Sequence, residues 1–249
     1  MINDQSEVIV DETQTKSGQF IGRLTLNAPK RMNSLTLEMV STMLSALVSW
    51  ETRKDIVCVV IDGRGERAFC AGADIKKLYF SCIASRDGDF ELASYATEFF
   101  QVEYQLDRLL HEYKIPTVCI GHGVVMGGGL GILSACRHRL VVDGSRLAYP
   151  EITIGLFADA GASILFQKLP LKAALFLALT GSELDSRDAL TLGVATNLFR
   201  SLDVSSLLKG LSGLKFSADR EHNDRLLDSF FHGEYQGESA PAGPWLKVP

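Results

Sequence analysis

Glu151 and Asp159 are the two acidic residues of PEITIGLFAD, Pro150 to Asp159, and their neighbours are almost all apolar. A carboxylate in such company faces either a core that penalises its charge or a pocket that uses it, and the pocket is the better reading. Upstream, MGGGLG at Met126 to Gly131 sets three consecutive glycines after the apolar run Val118, Cys119, Ile120. Glycines where a strand turns into a helix leave backbone N–H groups bare and aimed outward, the makings of an oxyanion site. A third feature is the loop AFCAGADIKKL, Ala68 to Leu78. One Gly-rich loop is weak, because turns and close helix packing use glycine too; two are stronger. Amides of Ala73 and Gly128 aimed into one cleft bind a carbonyl oxygen whose charge grows as an enolate or tetrahedral intermediate forms. One such donor is worth on the order of 3 kcal/mol of barrier.

The elements that must hold these groups read as an α/β chain. Phe20 to Leu26 is the first predicted strand, closed by Asn27, Ala28 and Pro29. Asn33, Ser34 and Thr36 are capping types ahead of a helix with Leu37, Val40, Leu44 and Leu47 on one face, through to Trp50. Ile56 to Ile61 is apolar throughout, which predicts a strand covered on both faces, and Asp62, Gly63 and Gly65 end it in a loop reaching Asp74. Strand, helix, strand implies a right-handed crossover. Ile75 to Phe80 predicts a short helix that fades over Ser81 to Asp89, the segment expected to be most mobile. A longer helix carries Phe99, Val102, Leu106, Leu109 and Tyr113 on one face up to Pro116, with Glu103 beside that face.

Thr117 to Ile120 is the next strand, the triple glycine opens the following helix, and Leu140 to Val142 is a further strand. Helices are expected from Asp159 to near Leu169, over Lys172 to Leu179 and over Ser186 to Leu192, with sheet formation over by then. From Ser201 the pattern loosens, and the tail SAPAGPWLKVP reads as non-regular. The organisation predicted is one α/β domain: a core over residues 1–200 and a short helical or irregular C-terminal region, 201–249, of the same domain.

With 46% hydrophobic and 22% charged residues among 249, the composition is that of a globular protein. A net charge of −5 supplies no basic field, so nucleic acid and anionic membranes are poor partners, and an anionic ligand needs local cations. The start MINDQSEVIVDETQTKSG lacks an apolar signal region, and no later apolar run reaches the ~18 residues of a membrane span, so a cytoplasmic location is the expectation. Five cysteines without a C-x-x-C pair read as reduced, mostly buried packing residues. The histidines show no metal-ligand spacing: His111 and His138 read as satisfied structural residues and His122 as a loop support. No metal and no separate cofactor is expected.

AFCAGADIKKL, MGGGLG and PEITIGLFADAG, in this order and spacing, resemble the crotonase superfamily, also called the enoyl-CoA hydratase/isomerase family, from about Phe20 to Phe199. The resemblance implies a spiral of ββα repeats, a coenzyme A thioester substrate, an oxyanion hole from the amides of Ala73 and Gly128, and homo-oligomers built as trimers or pairs of trimers. Hydratases of this family carry one glutamate two residues after the glycine triplet and a second in the Pro-Glu motif; here the first position is Gly131, which can move no proton.

Glu151, Asp159 eight residues on, and Glu103 in FFQVEYQLDRLL resemble instead the 3-hydroxyisobutyryl-CoA hydrolase branch. That match implies catalysis by Glu151 and Asp159 and substrate contact by Glu103 and Gly128, with Lys30, Arg31, Lys76 and Lys77 as the basic residues beside the loops that coenzyme A phosphates need. The implied reaction is thioester hydrolysis in branched-chain amino-acid breakdown. Glu151 acts as general base or as a nucleophile forming an anhydride, and Asp159 orients the substrate hydroxyl or shares the proton traffic.

Departures from that branch are Gly72-Ala73 for a glycine pair, Ala158 for proline, Ala162-Ser163 for a further glycine pair, and an end at Pro249 ahead of a long C-terminal helical region. Two alternatives stay open: an enoyl-CoA hydratase or isomerase using Glu151 alone, and a catalytically silent paralogue that binds acyl-CoA or a protein partner. At single residues, Asp159 competes with an N-cap role, Glu151 with that of a first-turn acid, and Glu103 with that of a helix-surface neighbour of Asp107 and Arg108.

Overall fold

Ile56 to Ile61 is apolar at every position because it runs through the middle of a sheet with packing on both faces. Val59 and Ile61 join one hydrophobic cluster, and Val57, Cys58 and Val60 join a second. The same division continues in neighbouring strands, where Cys119 and Val141 face the first cluster and Val118, Ile120 and Leu140 the second. A computed structural model describes residues 6–87, 90–233 and 238–239 of the chain.

In chain order the elements are β1 (Val8–Gln14), β2 (Phe20–Leu26), α1 (Leu37–Glu51), β3 (Ile56–Gly63), β4 (Ala68–Cys70), α2 (Ile75–Asp87), α3 (Phe90–Glu112), β5 (Thr117–Gly121), β6 (Val124–Met126) and α4 (Gly128–Ala135). They continue as β7 (His138–Val142), β8 (Arg146–Ala148), α5 (Ala162–Phe166), α6 (Leu171–Thr180), β9 (Leu184–Asp185), α7 (Ser186–Thr191), β10 (Asn197–Phe199), α8 (Val204–Ser212), α9 (Arg220–His232) and β11 (Glu238–Ser239). The large sheet has the order β1-β2-β3-β5-β7-β10-β11, and a smaller sheet has β4-β6-β8-β9. The strands β2, β3, β5, β7 and β10 are parallel, with β1 and β11 antiparallel at the edges. Each turn of the chain lays one strand in the large sheet and a three-residue strand in the small one before a helix: β3 and β4, then β5 and β6, then β7 and β8. This is the spiral of ββα repeats.

Local chemistry sets the element ends. Thr36 caps α1 through Oγ1, which accepts from the Met39 amide at 3.3 Å. Asn33, at φ 53°, clamps the loop before β4: its Oδ1 accepts from the Ala28 amide at 2.8 Å, and its Nδ2 lies 3.0 Å from the carbonyls of Arg64, Ala68 and Phe69.

Four expectations are corrected. The first strand is β1, an edge strand hydrogen-bonded to β2 along its length; its polar side chains face outward. The stretch 62–74 is not all loop, since Ala68–Cys70 pairs with β6. The helix from Ile75 does not fade at Ser81 but runs to Asp87, with the buried Ser81 Oγ accepting from the Ala96 amide at 3.0 Å. Sheet formation does not end before the late helices, because β9 joins the small sheet and β10 joins β7 in the large one. The region after Ser201 is helical as expected: it folds into α8 and α9, whose Leu207, Leu211, Leu227, Phe230 and Phe231 build the second cluster.

Gly88 and Asp89, and the tail beyond Ser239, lie outside the described residues. Cys58, Cys70, Cys119 and Cys136 are buried free thiols and Cys82 is exposed. His122 Nε2 is 2.7 Å from the Gly65 carbonyl, a loop support as expected. His111 and His138 are not satisfied: the Nε2 of each is buried without a partner among the described residues. Burial, with Arg137 and Arg139 nearby, pushes the His138 imidazole down to about 3, so it is neutral. No helix among the described residues is long and apolar enough to cross a membrane.

Candidate active site

The two Gly-containing turns and the acidic segment converge on one cavity of about 130 Å³, lined among others by Gly72, Ala73, Glu103, Gly128, Glu151 and Asp159. Apolar walls come from Ile75, Leu78, Phe100, Ile154 and Leu156. The turn before α2 is tied to the segment before α1: Leu35 donates to the Gly72 carbonyl at 2.8 Å and accepts from the Asp74 amide at 2.9 Å. The Ala73 amide between them finds no acceptor among the described residues. The Gly128 amide is the first of α4 and is likewise left over by helix geometry. The positive end of the α4 dipole therefore faces this cavity.

Glycine is required at the start of α4 by what stands against it. A Cβ on Gly128 would lie 2.2 Å from Glu103 Oε1. At Gly131 the obstacle is backbone: a Cβ there would lie 2.5 Å from the Ala160 carbonyl oxygen. A carbonyl of the main chain cannot swing aside as a side chain can, so position 131 admits no carboxylate. Ala160 itself is buried at φ +32°, a conformation that costs energy outside glycine and that fixes the turn following Asp159.

The acidic groups meet across this cavity. Glu151 opens a 3-10 turn, Glu151–Ile154, but its buried side chain turns inward: Oε1 would meet a Cβ on Gly127 at 2.8 Å, and Oε2 is buried without a partner among the described residues. Burial pushes the Glu151 carboxyl up to about 7, with a further push from the Asp159 charge. Asp159 is not the cap of α5, because Gly161 occupies that position and no side chain caps it. Its Oδ2 instead accepts from the Tyr104 hydroxyl at 2.7 Å. Glu103 is 3% exposed, which removes the surface-neighbour reading. Burial first, then the charges of Asp107, Asp159 and Glu151, hold its carboxyl well above the usual range.

The cations expected beside coenzyme A are not brought into this cavity. Lys30 and Lys76 are exposed on the surface. Arg31 is held by both carboxylate oxygens of Glu7 at 2.5 and 2.6 Å, and Lys77 pairs with Glu38 at 3.5 Å. Among the described residues no group of three or more acidic, His or Cys side chains is placed to hold a metal. Two residues here were not singled out from sequence, Tyr104 and Asp107. Asp107 stands one helical turn after Glu103, on the stripe that buries Phe99, Leu106 and Leu110, and is 4% exposed with neither oxygen partnered among the described residues. The spacing of four was the available signal.

A family model described as enoyl-CoA hydratase/isomerase matches residues 21–244. Among curated proteins, the chain is 36% identical to the mitochondrial 3-hydroxyisobutyryl-CoA hydrolase of Xenopus tropicalis over 227 residues, 91% of this chain and 57% of that one. It is 34% identical to the human protein of the same name over 209 residues, 84% of this chain and 52% of that one. The chain thus spans a little over half the length of these relatives. Among solved structures, a carnitinyl-CoA dehydratase from Mycobacterium thermoresistibile superposes with a TM-score of 0.77 at 33% identity, covering 97% of this chain and 64% of that one. An enoyl-CoA hydratase from Rhodobacter sphaeroides gives 0.73 at 31% identity, covering 88% and 66%.

Proposed function

The chain belongs to the enoyl-CoA hydratase/isomerase family, and on that premise we propose that it hydrolyses acyl-CoA thioesters of the 3-hydroxyisobutyryl-CoA type. One observation carries the choice of hydrolysis over hydration. The Ala160 carbonyl closes position 131 to the second glutamate that syn addition of water uses, while Glu151 and Asp159 line the cavity together.

In this reading the thioester oxygen sits between the amides of Ala73 and Gly128, where developing charge meets the N-terminal end of α4. Glu151, poised near neutrality by its burial, takes a proton from the attacking water or attacks the carbonyl itself. Asp159, with one oxygen fixed by Tyr104, orients the substrate hydroxyl through the other. Glu103, buried and with its carboxyl held above the usual range, lines the same cavity and contacts the acyl part. Lys30, Arg31 and Lys76 lie outside the cavity lining and meet the coenzyme A phosphates only where these extend over the surface beside the α1 and α2 starts.

The test assays thiol release from 3-hydroxyisobutyryl-CoA beside loss of crotonyl-CoA absorbance. Thiol release is expected, with Glu151→Gln lowering kcat by about 10²–10⁴ and Asp159→Asn raising KM for the hydroxylated substrate. Thiol release indifferent to both substitutions sinks the assignment. Crotonyl-CoA hydration without thiol release selects a hydratase, and binding without turnover selects a silent acyl-CoA-binding protein.

A further inference from the structure

A second cavity, of about 450 Å³ and lined mostly by polar groups, opens at the C-terminal end of α3, where His111, Ser134, Arg139 and Lys168 contribute to its wall. Glu103 lines the catalytic cavity and His111 lines this one, with Asp107 midway, so the three follow one another at intervals of four residues along a single face of α3. Successive Cβ atoms at that spacing stand about 6 Å apart, within reach of one bridging water between side chains.

The interior atoms of this row are unpartnered. Both oxygens of Asp107 and Nε2 of His111 are buried with no hydrogen-bond partner among the described residues. Buried polar atoms are nearly always paired, and orphans on consecutive turns of one helix face need an explanation. The His111 ring also touches the catalytic turn, because a Cβ on Gly161 would lie 2.9 Å from Nε2. Tyr149, itself buried, donates to the Ala160 carbonyl at 3.2 Å.

We propose that Glu103, Asp107 and His111 form a proton path that carries the acid released in thioester hydrolysis from the catalytic cavity to the polar one. The path rests on the hydrolase reading, because that reaction has a proton to dispose of. Water adds its oxygen to the thioester carbon and the C–S bond breaks with its electron pair going to sulfur. One proton of the water reaches the thiolate, giving the thiol. The other belongs to a carboxylic acid that is ionised at neutral pH, so one proton must leave per turnover, whereas hydration of a double bond releases none.

The step from Asp107 to His111 runs toward the weaker base and is completed by release of the proton into the polar cavity. Burial, then the Asp159 charge, pushes the Asp107 carboxyl up to about 8, so it holds and yields a proton near neutrality. At the far end burial and the charges of Lys168 and Arg139 hold the His111 imidazole below its ordinary range, so a proton arriving there is passed on. Arg139 is a fixed charge, its guanidinium bound to the carbonyls of Val194, Gly193, Cys136 and Arg137.

Two readouts test the path in the full chain. In the free protein, the NMR titration of the His111 ring is expected to move by about half a unit or more in Asp107→Asn, as neighbouring members of one path titrate together. In the thiol-release assay, Asp107→Asn is expected to lower kcat about tenfold with KM within twofold. Millimolar imidazole buffer is expected to restore kcat by carrying the proton itself. Packing alone does not respond to buffer, so a kcat loss without rescue overturns the path, as does an unmoved His111 titration. A moved His111 titration in a protein that releases no thiol overturns the hydrolase reading and with it the assigned role of the path, leaving only the coupling of Asp107 to His111.

Discussion

Glu151 illustrates how one carboxyl is tuned. Its burial raises the carboxyl to about 7 and the Asp159 charge adds to that rise, so the base form disappears below neutrality. With Glu151 as base, kcat/KM is expected to climb with pH through about 7 and then level. Asp159→Asn removes the neighbouring charge and is expected to shift that limb to lower pH, by about one unit or less at this partly solvated site. A limb that stays where it was shows that Asp159 does not bear on the group observed, and one that moves to higher pH shows that its charge is not what raises that group. The sign for stability is opposite. A carboxyl raised by folding favours the protonated folded state, so its contribution is lost as pH rises through the folded midpoint, near 7 for Glu151 and near 8 for Asp107. The pair Glu151 and Asp159 was legible in sequence because acids in an apolar segment are unusual. Tyr104 was not, because a tyrosine near a helix surface carries no sign of the aspartate it meets fifty-five residues later.

At the scale of elements, α4 sets the geometry of the site, and its glycines record how closely other backbone approaches. The triple glycine was readable as an exposed helix start. What excluded a carboxylate at Gly131 was not readable, since the obstacle is the Ala160 carbonyl, held by a backbone conformation that sequence pattern does not display. Gly131→Ala is expected to push α4 off the Asp159 turn, costing about 1–3 kcal/mol in thermal unfolding and lowering kcat more than it raises KM. Gly131→Glu gains no crotonyl-CoA hydration on the same grounds, and a stable Gly131→Glu protein that hydrates crotonyl-CoA refutes the steric account. The strands of the small sheet escaped the sequence reading for a different reason. Ala68–Cys70, Val124–Met126 and Arg146–Ala148 are three residues each, too short for alternation to emerge from the loops around them.

Across the whole molecule, the large sheet separates two hydrophobic clusters, and only one of them touches the site. The first holds α1, α3, α4 and the cavity wall; the second is closed by α8 and α9, which cover the opposite face. Reading the region after Ser201 as loosening missed this, because α9 is mostly charged and buries little beyond Asn223, Leu227, Phe230 and Phe231. Its start was nevertheless marked: Asp219 caps it, accepting from the amides of Glu221 and His222, as Asp203 caps α8. Phe231, fully buried against the sheet and beside the His138 ring, is where this layer is most sensitive. Phe231→Ala is expected to cost about 3–5 kcal/mol in chemical denaturation. Because β3, β5 and β7 each present alternate side chains to both clusters, loss on one face should propagate through the shared strands. The prediction is therefore a single unfolding transition at lower denaturant with KM unchanged below it. A separate early transition that leaves thiol release intact shows instead that α8 and α9 form an independent layer and that the catalytic half stands without them.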